Sequence, residues 1–112
     1  MDSELDSQIL LNTAQQFGTP LYIYNADSIT EQYKKLTNAF KGGNTTFFYA
    51  CKALTNINVL KHVKQLGANI DCSSINEIHL AIMSGFLPDQ IIFTSNGVLF
   101  EELAEAVSIG VH

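Results

Sequence analysis

Apolar residues recur at helical spacing near the start of the chain. Leu5, Ile9, Leu10, Thr13, Ala14 and Phe17 fall on one stripe, which predicts a helix over 5–17. Gly18 can terminate it, and Pro20 enforces extension before it. Leu21–Tyr24 then reads as a short strand, being aromatic and β-branched. Ser28-Ile29-Thr30-Glu31 fits a capping box, and Ile29, Tyr33, Leu36 and Phe40 continue at helical spacing until Gly42-Gly43-Asn44.

From there the alternation changes to strand then helix, three times over. Predicted strands are Thr46–Cys51, Ala68–Cys72 and Ile91–Thr94. Predicted helices are Ile57–Leu66, Ile75–Ser84 and Phe100–Ser108, followed by Gly67, Gly85 and Gly110 at the positions of helix C-caps. Such alternation means βαβ units and a parallel sheet. Val111-His112 falls where a fourth strand would begin. Three strands cannot close a barrel, for which about 250 residues is usual. The expected fold class is therefore α/β: a partial TIM (β/α) barrel of about three βα units, preceded by a helix, a short strand and a helix. Residues 1–24 form the leading segment. Residues 25–112 form the first part of the barrel, with the gene expected to run on past His112.

Composition narrows the function classes. The 112 residues are 46% hydrophobic and 15% charged, with a net charge of −5, which suits a modest globular core and not a nucleic-acid binder. The stretch from Phe86 to Phe100, poor in charge, contains Pro88, Asp89, Asn96 and Gly97 and does not suit a membrane span. Asp2, Glu4 and Asp6 stand where a signal peptide would be basic, so a cytoplasmic location is expected. Cys51 and Cys72 lack ligand-cluster spacing and read as reduced, buried apolar fillers. His62, His79 and His112 show no metal spacing, and no metal is expected; His62 and His79 read as surface positions on helices.

One residue breaks the apolar run Phe-Phe-Tyr-Ala-Cys-Lys-Ala at 47–53. A strand apolar on both faces belongs to a buried parallel sheet. Burial there makes an ammonium costly and favours the neutral amine, a nucleophile for carbonyl carbons. Lys52 at the end of that strand is thus a candidate, or else it snorkels to solvent. In a (β/α) barrel, chemistry lies at the carboxyl ends of the strands. Asp71-Cys72-Ser73-Ser74 and Ser95-Asn96-Gly97 also fall there, and strands about 4.8 Å apart would let Lys52 and Asp71 share one polar site. Quieter roles exist for each. Asp71 can satisfy loop amides, Glu77 can complete a capping box from Ser74, and Asn96-Gly97 can be a turn.

Phe-Gly-Thr-Pro-Leu-Tyr-Ile-Tyr at 17–24, Tyr-Ala-Cys-Lys-Ala at 49–53 and Ile-Asp-Cys-Ser-Ser-Ile-Asn-Glu at 70–77 together resemble a known family. So do Ile-Phe-Thr-Ser-Asn at 92–96, the Glu-Glu-Leu-Ala-Glu-Ala helix and Gly110-Val111. The resemblance is to the start of the alanine-racemase-like, fold-type III pyridoxal-phosphate decarboxylases, in the diaminopimelate decarboxylase branch. It implies that Lys52 holds pyridoxal 5'-phosphate as a Schiff base and that Asp71 lies beside the cofactor. Glu77 and Asn96 match positions in the surrounding shell, while Tyr49 and Ala50 pack the motif. The implied reaction converts meso-2,6-diaminopimelate to L-lysine and carbon dioxide, with the cofactor as electron sink.

Cys51 departs from the pattern, replacing a small aliphatic residue. The family's phosphate site, ring-nitrogen acid, stacking histidine, partner-subunit cysteine and C-terminal β domain come from later sequence. This chain alone is accordingly expected to be inactive, to bind the cofactor weakly or not at all, and to self-associate, although the family forms homodimers. The alternatives are a related ornithine, arginine or carboxynorspermidine decarboxylase and a short non-enzymatic binding domain. Expected partners are small amino-acid substrates, with neither nucleic acid nor membrane.

Overall fold

In a computed structural model, residues 5–112 are described; Asp2 and Glu4, with the start of the 1–24 segment, lie outside them. Helix α1 (Ser7–Phe17) is capped by Asp6, whose side chain accepts from the Gln8 amide. Its apolar stripe stays uncovered: no α1 residue is buried, and Ile9, Leu11 and Phe17 are exposed. Leu21–Tyr24 forms no strand. An extended segment becomes a strand only with a neighbour to take its amides and carbonyls, and none lies beside it among the described residues.

Helix α2 (Ala26–Ala39) starts earlier than the Ser28 capping box predicts. Asn25 is the cap, accepting from the Asp27 and Ser28 amides at 2.9 and 3.2 Å. Asparagine caps a helix as well as serine does, so the upstream signal wins.

The strands are β1 (Phe48–Ala50), β2 (Asn69–Cys72) and β3 (Ile91–Phe93), in the order β1-β2-β3 and parallel throughout. Helices α3 (Ile57–Gln65), α4 (Ile75–Met83) and α5 (Phe100–Ile109) follow them in turn. Gly110 ends α5 in the left-handed conformation, at φ 87°, which glycine adopts without a Cβ clash. This is the opening of a (β/α) barrel.

Register fixes the faces. Ala50, Asp71 and Ile92 lie side by side, as do Tyr49, Ile70 and Ile91. The second row packs under the helices: Ile70, Cys72 and Ile91 are fully buried with Cys51, Leu60, Ile78 and Ala81. The first row is only half-buried, so the sheet is covered on one face and not on both as the apolar strands predict. The molecule is a slab of 49 × 40 × 22 Å. Its radius of gyration is 16.7 Å, against about 13 Å for a closed domain of roughly 100 residues.

Val111-His112 begins a fourth position in the sheet. The His112 amide donates to the Ile91 carbonyl at 3.1 Å, and the Phe93 amide donates to the His112 carbonyl at 2.6 Å. This is the parallel ladder pattern.

Candidate active site

The predicted site residues gather at the carboxyl end of the sheet, though not all as expected. β1 stops at Ala50, and Cys51–Ala53 turn as one 3₁₀ segment. Lys52 therefore sits on a turn instead of a strand end, and it is exposed. The expected desolvation is missing because no described element covers that end of the sheet. The other lysines lie elsewhere: Lys34 and Lys35 on α2, Lys41 just after it, and Lys61 and Lys64 on α3. Lys52 alone follows a strand.

Asp71 occupies the uncovered face of β2, beside Ala50 and Ile92. Its carboxylate accepts a hydrogen bond from the Thr94 hydroxyl. Among the described residues the ion pair is His79–Glu105, so Asp71 is engaged by Thr94 and not by Lys52. Thr94 went unrecognised in the sequence, where the loop after β3 was read from Ser95 onward. Its amide is hydrogen-bonded to the Cys72 carbonyl at 3.0 Å, a relation set by the pairing of β2 with β3.

Glu77 is half-buried in the first turn of α4. Ser74 caps that helix, accepting from the Glu77 amide at 3.2 Å. The Glu77 carboxylate reaches one residue past the cap, to the Ser73 amide at 2.6 Å, so the box is offset from its usual form. A carboxylate at a helix N-terminus is favoured by the exposed amides there. Asn96 is exposed in the β3–α5 loop, where Gly97 has φ 66°. That backbone supports the turn reading of Asn96-Gly97.

The cysteines are brought together despite their separation in sequence. Cys51 and Cys72 lie one step beyond the Ala50–Asp71 pair and are both fully buried. Burial pushes the Cys51 thiol up to about 11, with the Glu77 carboxylate adding to the effect. Burial likewise pushes Cys72 up to about 12, reinforced by Cys51, Glu77 and Asp71. Each negative neighbour makes a thiolate harder to form.

Tyr49 shows how the motif packs. Its hydroxyl donates to the Leu54 carbonyl at 3.3 Å, bracing the turn that carries Lys52. An apolar cleft of about 390 Å³ lies between α2 and β1, lined by Tyr33, Leu36, Phe47, Tyr49, Val63 and Leu66 among others. It includes neither Lys52 nor Asp71.

His62 is not a simple surface residue. Its Nε2 lies 2.8 Å from the Thr30 hydroxyl and 3.1 Å from the Ala26 carbonyl, joining α3 to α2. His79 joins α4 to α5 through Glu105 at 2.8 Å.

A parallel sheet with helices between its strands, and with an exposed lysine and two carboxylates near its carboxyl end, has the form of a (β/α)-barrel segment. Comparison with known proteins makes this specific. The pyridoxal-binding domain of the pyridoxal-dependent decarboxylases matches residues 26–112, and the chain belongs to that family. It is 44% identical over 100 residues to the diaminopimelate decarboxylase of Methanothermobacter thermautotrophicus, covering 88% of this chain and 23% of that one. The Campylobacter jejuni enzyme of the same name is 41% identical over 93 residues, covering 83% of this chain and 23% of its own length. The chain thus spans about a quarter of the curated relatives it matches.

Two crystal structures superpose well. Helicobacter pylori diaminopimelate decarboxylase complexed with L-lysine gives a TM-score of 0.85 at 31% identity, over 91% of this chain and 26% of that one. The lysine/ornithine decarboxylase of Vibrio vulnificus complexed with putrescine gives 0.87 at 28% identity, over 97% and 30%.

The residues present fit one side of a pyridoxal phosphate site. Attachment would need a reachable lysine amine near the strand ends, and Lys52 is exposed there. The nearby carboxylates of Asp71 and Glu77 are already oriented by Thr94 and Ser73.

Proposed function

We propose that this chain is the N-terminal quarter of a cytoplasmic decarboxylase that converts meso-2,6-diaminopimelate to L-lysine and carbon dioxide. The observation that carries the reading is the position of Lys52. It is the lysine carried by the turn that follows β1, in a family whose matching domain binds pyridoxal. The reading divides the chain into a leading segment, 1–24, and a barrel segment, 25–112. It is supported by the family match beginning at residue 26 and by the unpaired Leu21–Tyr24.

Each residue has a defined task. Lys52 holds the cofactor through its amino nitrogen. Asp71, fixed by Thr94, places negative charge beside it and favours positive charge nearby. Glu77, held by Ser73, and Asn96 in the β3 loop form the outer shell. When bound, pyridoxal phosphate supplies the electron sink that takes up the pair released as carbon dioxide departs. The phosphate cradle and the substrate-selecting residues belong to the remaining length of the relatives, where the homodimer contacts also lie. The chain on its own self-associates through its uncovered apolar surface.

The test uses the reading frame carried on to the length of the relatives. Borohydride reduction with pyridoxal phosphate, followed by peptide mapping, is expected to place the label on Lys52; a label on another lysine overturns the assignment. The Vibrio vulnificus likeness favours a second reading, an ornithine or lysine decarboxylase. Carbon dioxide release from diaminopimelate, ornithine, lysine and arginine in parallel decides between them.

A further inference from the structure

We propose that Cys51, Cys72 and Glu77 form a binding site for a thiophilic divalent cation of the zinc class. The two Sγ atoms and a Glu77 carboxylate oxygen all lie within 4.8 Å of one another. A tetrahedral zinc site, with Zn–S near 2.3 Å and Zn–O near 2.1 Å, spaces its ligand atoms roughly 3.5–3.8 Å apart. Closing the site therefore needs a contraction of at most roughly 1.3 Å at any one contact.

Three features of the fold hold these donors in place. The β1–β2 ladder ends at Ala50 and Asp71, and Cys51 and Cys72 are the next residues on either side, with their sulfurs within 4.8 Å. Ser74 starts α4 directly over the end of β2, which brings Glu77 back above both thiols. The Ser73 amide occupies Glu77 Oε2, and a carboxylate with about four lone-pair sites keeps acceptor capacity for a cation. Asp71 is excluded as a ligand, because it lies on the opposite face of the sheet.

The chemistry selects the ion. Paired thiols favour soft or borderline metals over magnesium or calcium. Both thiols are sealed from solvent while Glu77 is half-exposed, so the carboxylate marks the entry side. Binding breaks two S–H bonds. Each sulfur gives a lone pair to the cation, both protons leave to solvent, and nothing is oxidised or reduced. Three protein donors leave a fourth tetrahedral position for water or a small ligand, as in open zinc sites. The Glu77 carboxylate adds negative charge beside the two sulfurs, which favours a dication between them. This inference does not rest on the decarboxylase reading.

The test is a titration of the protein carried on to the length of its relatives with Cd²⁺, and with Zn²⁺ against a chromophoric chelator, under a phosphine reductant, read as the difference between the parent and its Cys51→Ala/Cys72→Ala variant. One equivalent per chain is expected, with a sulfur-to-cadmium charge-transfer band of two thiolates and release of two protons. Glu77→Gln is expected to keep the band and weaken binding by roughly tenfold or more, with circular dichroism showing an unchanged fold. Cys72→Ala is expected to remove the band. Cysteines that serve only as apolar filling give no band, and that result overturns the proposal. So does half an equivalent per chain, or an affinity that Glu77→Gln leaves unchanged.

Discussion

The Thr94 hydroxyl donates to the Asp71 carboxylate, tying the residue that leaves β3 to the end of β2. The backbone of Thr94 makes a second tie, to the Cys72 carbonyl. Thr94→Val keeps the backbone bond and removes the hydroxyl. It is expected to cost about 1 kcal/mol, read as a lower urea midpoint, with Thr94→Ser recovering most of the loss. An unchanged midpoint for Thr94→Val would show that the bond adds nothing net.

The two thiols give stability a dependence on alkaline pH. Below 9.0, the ordinary thiol value, both are protonated whether the chain is folded or unfolded, and their contribution is fully present. Above it, unfolded thiols release protons while the folded ones hold theirs to about 11 and about 12. The unfolded state then binds fewer protons, and stability falls across that window. Burial of Tyr33 and Tyr49 adds a loss of the same sign. Thermal unfolding from pH 8 to 10.5 is expected to show a shallower decline in Cys51→Ala and Cys72→Ala. Parallel slopes for these variants and the parent would remove the thiols from the account.

His62 and His79 both bridge neighbouring helices, but not equally. His62 is half-buried and contacts both Thr30 and Ala26. The His79–Glu105 pair is exposed by 48% and 49%, in the range where ion pairs add little. His62→Ala is therefore expected to cost about 1 kcal/mol and His79→Ala less than about 0.5 kcal/mol. Denaturation in low and high salt separates the two, since only the His79 effect is expected to weaken with salt.

Supplied with pyridoxal phosphate and diaminopimelate, this chain alone is expected to yield no sustained lysine. Its lysine faces open solvent, and water exclusion is part of what a closed site provides. Steady lysine production, followed by chromatography, would show that the described residues suffice.

The helix ends after β1, β2 and β3 were legible because Gly67, Gly85 and Gly110 punctuate a plain strand–helix alternation. The start of α2 was not, because Asn25 and Ser28 are both competent caps and local sequence does not rank them. Lys52 was found from its neighbours, but the choice between a buried amine and one that reaches solvent stayed open, and the structure takes the second: covering a strand end is a matter of distant elements, which a local run of apolar residues cannot reveal. Thr94 and the Cys51–Cys72 pairing escaped for a related reason. Both depend on the register between strands, and register is a relation between segments that neither segment states alone.

That register also gives the sheet a direction of growth. His112 already occupies the outward carbonyl of Ile91 and the outward amide of Phe93, while β1 has no strand on its outer side among the described residues. The sheet is thus a one-sided template. A second copy, or any extended peptide, that adds to the β1 edge pairs along Phe48–Ala50, immediately before the turn that carries Lys52. A partner bound along that edge therefore ends next to the segment that carries Lys52.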